Sequence, residues 1–282
     1  MERRSRLPLV LFLFTVATTV TAGAFYEGIN PFAEPLGLVK GVPFSTALLL
    51  ILGTHEMGHY LASKRHGVRA TLPFFIPAPP FPPMIGTFGA VIKMKSPIMT
   101  RRALVDIGAS GPLAGFVVAV LVLAAGLAVS DVRPAEPQPG LFWLGSSILF
   151  DIMSGLIIGP VPEGHDIYLN SVAFAGWIGL FITSMNLLPI GQLDGGHIVY
   201  ALLGGLHRTV SVATVAVLLV LGNFTWPGWI VWALLGVIIG VGHPPVLDGH
   251  RRLDARRKAL GAASLIVFVL TFIPSPFYII TP

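Results

Sequence analysis

Cysteine is absent from the 282 residues. A disulfide framework, a thiolate metal site and a cysteine nucleophile are therefore all excluded. Charge is scarce as well: Asp, Glu, Lys and Arg make up 11% of the chain, against about 25% in a soluble domain. With 54% hydrophobic residues and a mean hydropathy of +0.81, an ordinary soluble globule is ruled out. What remains is an all-α polytopic membrane protein, with length for about six to seven transmembrane helices of ~20 residues. No internal repeat and no soluble domain is visible, so residues 1–282 read as a single integral membrane domain. The net charge of +5 gives no support to nucleic-acid binding, because the basic residues lie in short segments between apolar runs.

Those runs set the organisation. Leu7 to Phe25 is uncharged and follows a basic start. It is longer than a typical signal-peptide core and is predicted to be a first span, although Ala22-Gly23-Ala24 resembles a cleavage site. Core spans are predicted over 43–62, 103–129 and 169–190, and further spans near 209–222, 226–241 and 259–273. Between the second and third spans lies a proline-rich stretch that cannot be helix, with Pro73, Pro77, Pro79, Pro80, Pro82 and Pro83. After it, Gly86 to Ile92 has β-branched and aromatic residues between glycines. It predicts a short membrane-associated strand or hairpin region following the second helix.

Basic residues orient this arrangement. Sixteen of the 18 Lys and Arg fall in four segments (1–6, 63–102, Arg208 and 243–258) that share one side when the N-terminus is cytoplasmic. Only Lys40 and Arg133 fall on the other side. That is a positive-inside pattern. It holds only if Leu141–Pro160, apolar but interrupted by Asp151, lies outside or re-enters rather than spans.

The chemistry concentrates in Thr54-His55-Glu56-Met57-Gly58-His59, inside the 43–62 run. Residues four apart share one helix face, so His55 and His59 point the same way. Two imidazoles so placed can hold one zinc ion, and Glu56 beside them can take a proton from water at the metal. With 8 His in 282 residues, the pattern arises by chance in about one such chain in 200. Ionisable groups inside a span are costly and mark function. A catalytic zinc takes three protein ligands and one open position, so a third ligand must come from elsewhere. Asp194, on the broken segment Pro189-Ile190-Gly191-Gln192-Leu193-Asp194-Gly195-Gly196, is the best candidate. Its alternative is a plain helix-ending turn. His197, His243 and His66 are weaker candidates.

His55-Glu56-Met57-Gly58-His59, together with Asn186-Leu187-Leu188-Pro189 and Leu193-Asp194-Gly195-Gly196, resembles the signatures of the site-2 protease family of intramembrane zinc metalloproteases. Ser110-Gly111-Pro112-Leu113-Ala114-Gly115 matches the helix between them. The resemblance implies His55, His59 and Asp194 as ligands of one Zn2+, Glu56 as general base, and Asn186 as a donor to the substrate carbonyl or oxyanion. It implies hydrolysis of peptide bonds within or near the transmembrane segment of a single-span membrane protein, and the positive-inside pattern puts the N-terminus and the active site toward the cytoplasm. No PDZ-like insertion is present. Gly86, Thr87, Phe88 and Gly89 are candidates for binding the unwound substrate at a strand edge.

Two other functions compete. Gly108-Ala109-Ser110-Gly111 matches the short motif of rhomboid-type serine proteases, with His197 as base, but leaves the zinc motif unexplained. A metal transporter or a non-catalytic zinc-binding membrane protein would need the ligands but no base, so Glu56 separates it from a protease.

Overall fold

Apolar runs ending in glycine or proline become helices with sharp ends in the computed structural model, which describes residues 6–81, 84–135, 142–249 and 252–279. Helix α1 is Leu7–Tyr26 and α2 is Val42–Arg65, each with proline in its first turn, where the missing N–H costs nothing. A 3-10 turn, Pro35–Gly41, leads into α2. Gly67 follows α2 at φ +68, a conformation that suits glycine and stops the helix. Helix α3, Arg101–Leu127, carries Pro112 inside it. Then come α4 (Ile148–Ile157), α5 (Ser171–Asn186), α6 (Asp194–Leu203), α7 (His207–Phe224), α8 (Gly228–Ile239) and α9 (Ala255–Thr271).

Four helical stretches are long and apolar enough to cross a bilayer: Leu7–Tyr26, Pro35–Arg65, Arg101–Leu127 and Asp194–Phe224. The predicted count of six to seven is therefore met only in part. Helices α5 and α8 have 16 and 12 residues. At ~1.5 Å per residue both fall short of a ~30 Å hydrocarbon core. The predicted 169–190 span shortens because Pro189 and Gly191 end it. Helix α4, with 10 residues, is likewise too short, as expected for a segment that does not span.

The chain divides into two units, one comprising 1–96, 114–133 and 167–179 and the other 97–113, 134–166 and 180–282. In the first, α1 and the entry to α2 approach closely: a Cβ on Gly23 would lie 2.6 Å from the Gly41 carbonyl oxygen. The buried hydroxyls of Thr19 and Ser45 meet at 2.7 Å. Strand β1 (Phe74–Pro77) pairs antiparallel with β2 (Thr87–Val91), in the register Phe74 with Val91 and Phe75 with Ala90. Helix α1 braces this hairpin through the Thr18 hydroxyl, which donates to Gly86 O at 2.6 Å, and an edge contact of Phe12 on Phe75. The predicted strand over 86–92 is thus β2, and its partner is the proline-flanked β1. The C-terminal part of α3 packs on α5 through glycines, Gly176 facing the Leu123 backbone and Gly179 facing Ile51 and Ala119.

In the second unit, α7 and α8 form a hairpin around Leu218, Trp229 and Ala233. Arg101, opening α3, donates its backbone N–H to Asp248, and its guanidinium bonds the Ala201 and Leu202 carbonyls that end α6. Arg257 of α9 pairs with Asp106 at 2.6 Å and with Asp254 at 2.6 Å. Asp254 caps α9, and the Arg257 backbone N–H and guanidinium hold its carboxyl below the usual range.

A Cβ on Gly176 would sit 2.6 Å from Leu123 Cα, whereas nothing lies within 4 Å of one on Gly155. Gly176→Val is expected to destabilise by more than ~2 kcal/mol. Gly155→Ala, mid-helix in α4, is expected to gain about 0.5–1 kcal/mol. Thermal unfolding in detergent orders the two variants, and the reverse order would refute this packing.

Candidate metal centre

Helix α2 carries His55, Glu56 and His59, and all three are buried, at 5%, 7% and 6% exposure. The helical repeat brings the two rings to one face, with Nε2 to Nε2 at 3.1 Å and ring centroids at 4.8 Å. Two nitrogens each ~2.05 Å from a tetrahedral zinc stand about 3.3 Å apart. The separation therefore fits a shared ion. Gly115 of α3 makes room for this face: a Cβ there would lie 3.0 Å from His55 Cβ and 3.2 Å from its Nδ1.

Asp194 opens α6, where a carboxylate meets the positive end of the helix dipole. The backbone before it is broken. Pro189 cannot continue α5, Gly191 turns at φ +52, and Leu193 N–H closes the turn onto Ile190 O at 3.1 Å. Ser211 of α7 pins this turn, donating to Pro189 O and accepting from Gly191 N–H. Gly195 and Gly196 let α6 start against it: a Cβ on Gly195 would strike the Leu187 carbonyl, and one on Gly196 would lie 2.7 Å from Ile190 O.

Among the described residues, His55, His59 and Asp194 form a group able to hold a metal ion, each offering one ligand atom, with these atoms within 4.8 Å of one another. His66, His197 and His243 stand outside this group. The donor set, two imidazoles and one carboxylate, is that of a catalytic rather than a closed structural zinc site.

Asn186 ends α5 half-buried, and its side chain has no hydrogen-bond partner among the described residues. Of the four strand candidates, Gly86 and Thr87 are already engaged, one by α1 and the other within the hairpin. Gly86 O accepts from Thr18, and the buried Thr87 hydroxyl donates to Ile76 O at 2.8 Å. Phe88 is 66% exposed, and nothing lies within 4 Å of a Cβ on Gly89. Ser110 donates its hydroxyl to Ile107 O within its own helix, the arrangement of a packing residue rather than a nucleophile. Sequence reasoning missed Gly115 and Ser211 as supports of the site. Gly115 was visible only as one small residue among several, and nothing local marks Ser211.

Residues 43–225 match the model of peptidase family M50. The chain belongs to this family, the site-2 protease family of zinc metalloproteases. It is 31% identical over 256 residues to the probable zinc metalloprotease EGY2, chloroplastic, of Arabidopsis thaliana, covering 86% of this chain and 44% of that protein. It is also 31% identical over 295 residues to the probable zinc metalloprotease EGY1, chloroplastic, of Oryza sativa subsp. japonica, covering 95% and 50%. The chain thus spans about half the length of these curated relatives. No solved structure matches it.

Gly115→Val removes no ligand but drives a branched side chain into the His55 ring. Bound zinc per chain is expected to fall by more than half, read by metal analysis of the purified protein. Undiminished zinc would show that Gly115 does not shape the site.

Proposed function

We propose that this chain is an intramembrane zinc endopeptidase, binding one ion through His55, His59 and Asp194 and cutting membrane-protein substrates. The observation that carries the proposal is the pair of buried imidazole nitrogens 3.1 Å apart on the helix that also bears Glu56. A transporter or a zinc-stabilised scaffold has use for the histidines but none for a buried carboxylate between them.

Bound zinc would supply Lewis acidity to a peptide carbonyl and to the attacking water. Glu56 takes that water's proton and returns it to the leaving amine. Asn186 donates an amide N–H to the oxyanion that develops on the carbonyl. The scissile bond must be extended, because a helical substrate hides its carbonyls in its own hydrogen bonds. Strand β2, with Phe88 exposed, offers an edge for pairing with it.

The substrate class is a single-span membrane protein, processed by regulated intramembrane proteolysis. In the bilayer we place the N-terminus and the active site toward the cytoplasm. The shorter helices α5, α8 and α9 bring the spans toward six or seven. The placement of 16 of 18 basic residues supports this orientation.

Glu56→Gln should keep its zinc and lose ~10²–10⁴-fold in cleavage of a single-span substrate in detergent, the usual worth of a general base. Asp194→Ala should lose the metal itself. Ion flux into proteoliposomes without any peptide product would instead establish the transporter. Asn186→Ala should lower kcat by about 10²–10³, as for loss of one oxyanion donor. Unchanged kcat would remove Asn186 from the mechanism.

A further inference from the structure

His207 opens α7 with 1% of its surface exposed, and no step above uses it. Its ring stands edge-on to Tyr200 of α6 and to His243 of the loop after α8, each with centroids 5.7 Å away. Its Nε2 lies 3.2 Å from the Ser211 hydroxyl, one turn further along α7. That hydroxyl holds the broken backbone before Asp194, lying 3.1 Å from Pro189 O and 3.2 Å from Gly191 N. The His207 ring also interacts with the Gly191 backbone. Histidine and serine thus converge on the turn that leads into the third metal ligand.

The direction of each bond follows from proton counting. A carbonyl oxygen only accepts and a backbone N–H only donates. Pro189 O takes the single hydroxyl proton of Ser211, and Gly191 N–H fills one of the two lone pairs on Oγ. The second lone pair is left for His207, so His207 Nε2 carries a proton and donates it. The reverse arrangement, with Ser211 donating to a bare Nε2, would strip Pro189 O of this hydroxyl and carry the cost of a lost bond. A charged imidazole at this burial would be costlier still, so the ring is neutral and the Nε2 proton is its own.

The Ser211 hydroxyl has a competing choice. Serine and threonine inside helices commonly bond back to their own helix. Here Ser264 donates to Leu260 O at 3.0 Å, and Thr214, on the same helix as Ser211, donates to Val210 O at 2.9 Å. Ser211 instead reaches across to the turn. A hydroxyl with three partners has one orientation, whereas one with two can swing back to its own helix. The turn in turn bears on α6, because Gly195 and Gly196 start that helix against the carbonyls of Leu187 and Ile190.

We propose that His207 is a positioning residue for the metal centre: its Nε2–H holds the Ser211 hydroxyl across the 189–191 turn and so fixes the start of α6, which carries Asp194. The proposal rests on Asp194 being a zinc ligand, whereas the direction of the His207 bond does not.

The test uses the full chain in detergent, 15N-labelled at histidine, as wild type, His207→Phe, His207→Gln, Ser211→Ala, the double variant His207→Phe/Ser211→Ala, and Asp194→Ala. Zinc affinity is read by competition with a chelator. Phenylalanine keeps a ring against Tyr200 and His243 and removes the donor. Glutamine gives up the ring and keeps an N–H near the Nε2 position. His207→Phe should weaken zinc binding about tenfold, the low end for partners that support a ligand from outside, and His207→Gln should stay close to wild type. A residue that only fills space would give the opposite order. In the double variant, His207→Phe should cost nothing beyond Ser211→Ala, because both act through one hydroxyl. Imidazole 15N spectra should show His207 protonated at Nε2, its signals identified by their loss in His207→Gln. A His207 protonated at Nδ1 alone, undiminished zinc affinity in His207→Phe, an equal loss in His207→Gln, or additive losses in the double variant would each overturn the proposal. If Asp194→Ala binds zinc as tightly as wild type, the metal-site reading falls and this role falls with it. If Asp194→Ala loses zinc and His207→Phe does not, the reading stands and the role of His207 alone is refuted.

Discussion

Two imidazole nitrogens held 3.1 Å apart inside an apolar helix are the constraint that the surrounding structure meets. Buried polar groups without partners are costly in a low-dielectric interior. A pair of histidines four residues apart supplies its own geometry through the helical repeat, but not the room or the counter-charge it needs. Room comes from Gly115, whose missing side chain leaves the His55 ring in place. Counter-charge comes with carboxylates. Glu56 shares the helix, and Asp194 stands at a helix N-terminus, where the backbone dipole favours an anion.

Asp194 depends in turn on backbone that is not helical. Lone carbonyls and N–H groups in a low-dielectric setting must find partners inside the protein, and several of those in this segment do. Ser211 takes Gly191 N–H and gives its proton to Pro189 O. Leu193 N–H reaches Ile190 O, and His197 N–H reaches Leu193 O. Glycine at 195 and 196 is demanded by contact rather than by conformation, since α6 begins with its backbone against the carbonyls of 187–191. The Leu-Asp-Gly-Gly signature is thus one ligand followed by two spacers.

Much of this could be read from the residues alone, and the reason is local physics. Helical spacing placed His55 and His59 on one face, and proline and glycine marked the break before Asp194. The strand over 86–92 followed from β-branched and aromatic residues between glycines. What the sequence hid is long-range. Strand β1 sits between Pro73 and Pro77 and carries no alternation of its own, so only its pairing with β2 defines it. The contact of His243 with His197 spans 46 positions, and nothing local distinguishes His243 from a surface histidine. Length supports four of the expected spans directly, because hydropathy measures apolarity and not helix length. Helices α5 and α8 are apolar enough but stop at 16 and 12 residues.

A reacting constellation has to be held to within about 0.5 Å, and α6 is only 10 residues long. Such a short helix has little rigidity of its own and must be fixed at both ends. The glycines and Ser211 fix its start. Its end is fixed by Arg101, whose planar guanidinium satisfies the last carbonyls of α6 while its backbone N–H is capped by Asp248. Val246 and Leu253, on either side of that aspartate, pack with Leu104, Val105 and Ala201. The segment 246–249 therefore ties the first turn of α3 to the last turn of α6, because Arg101 bonds Asp248 and Gly249 on one side and Ala201 and Leu202 on the other. A substitution at Asp248 acts on the ligand helix without touching a ligand, because Asp248 holds Arg101, which closes the helix carrying Asp194.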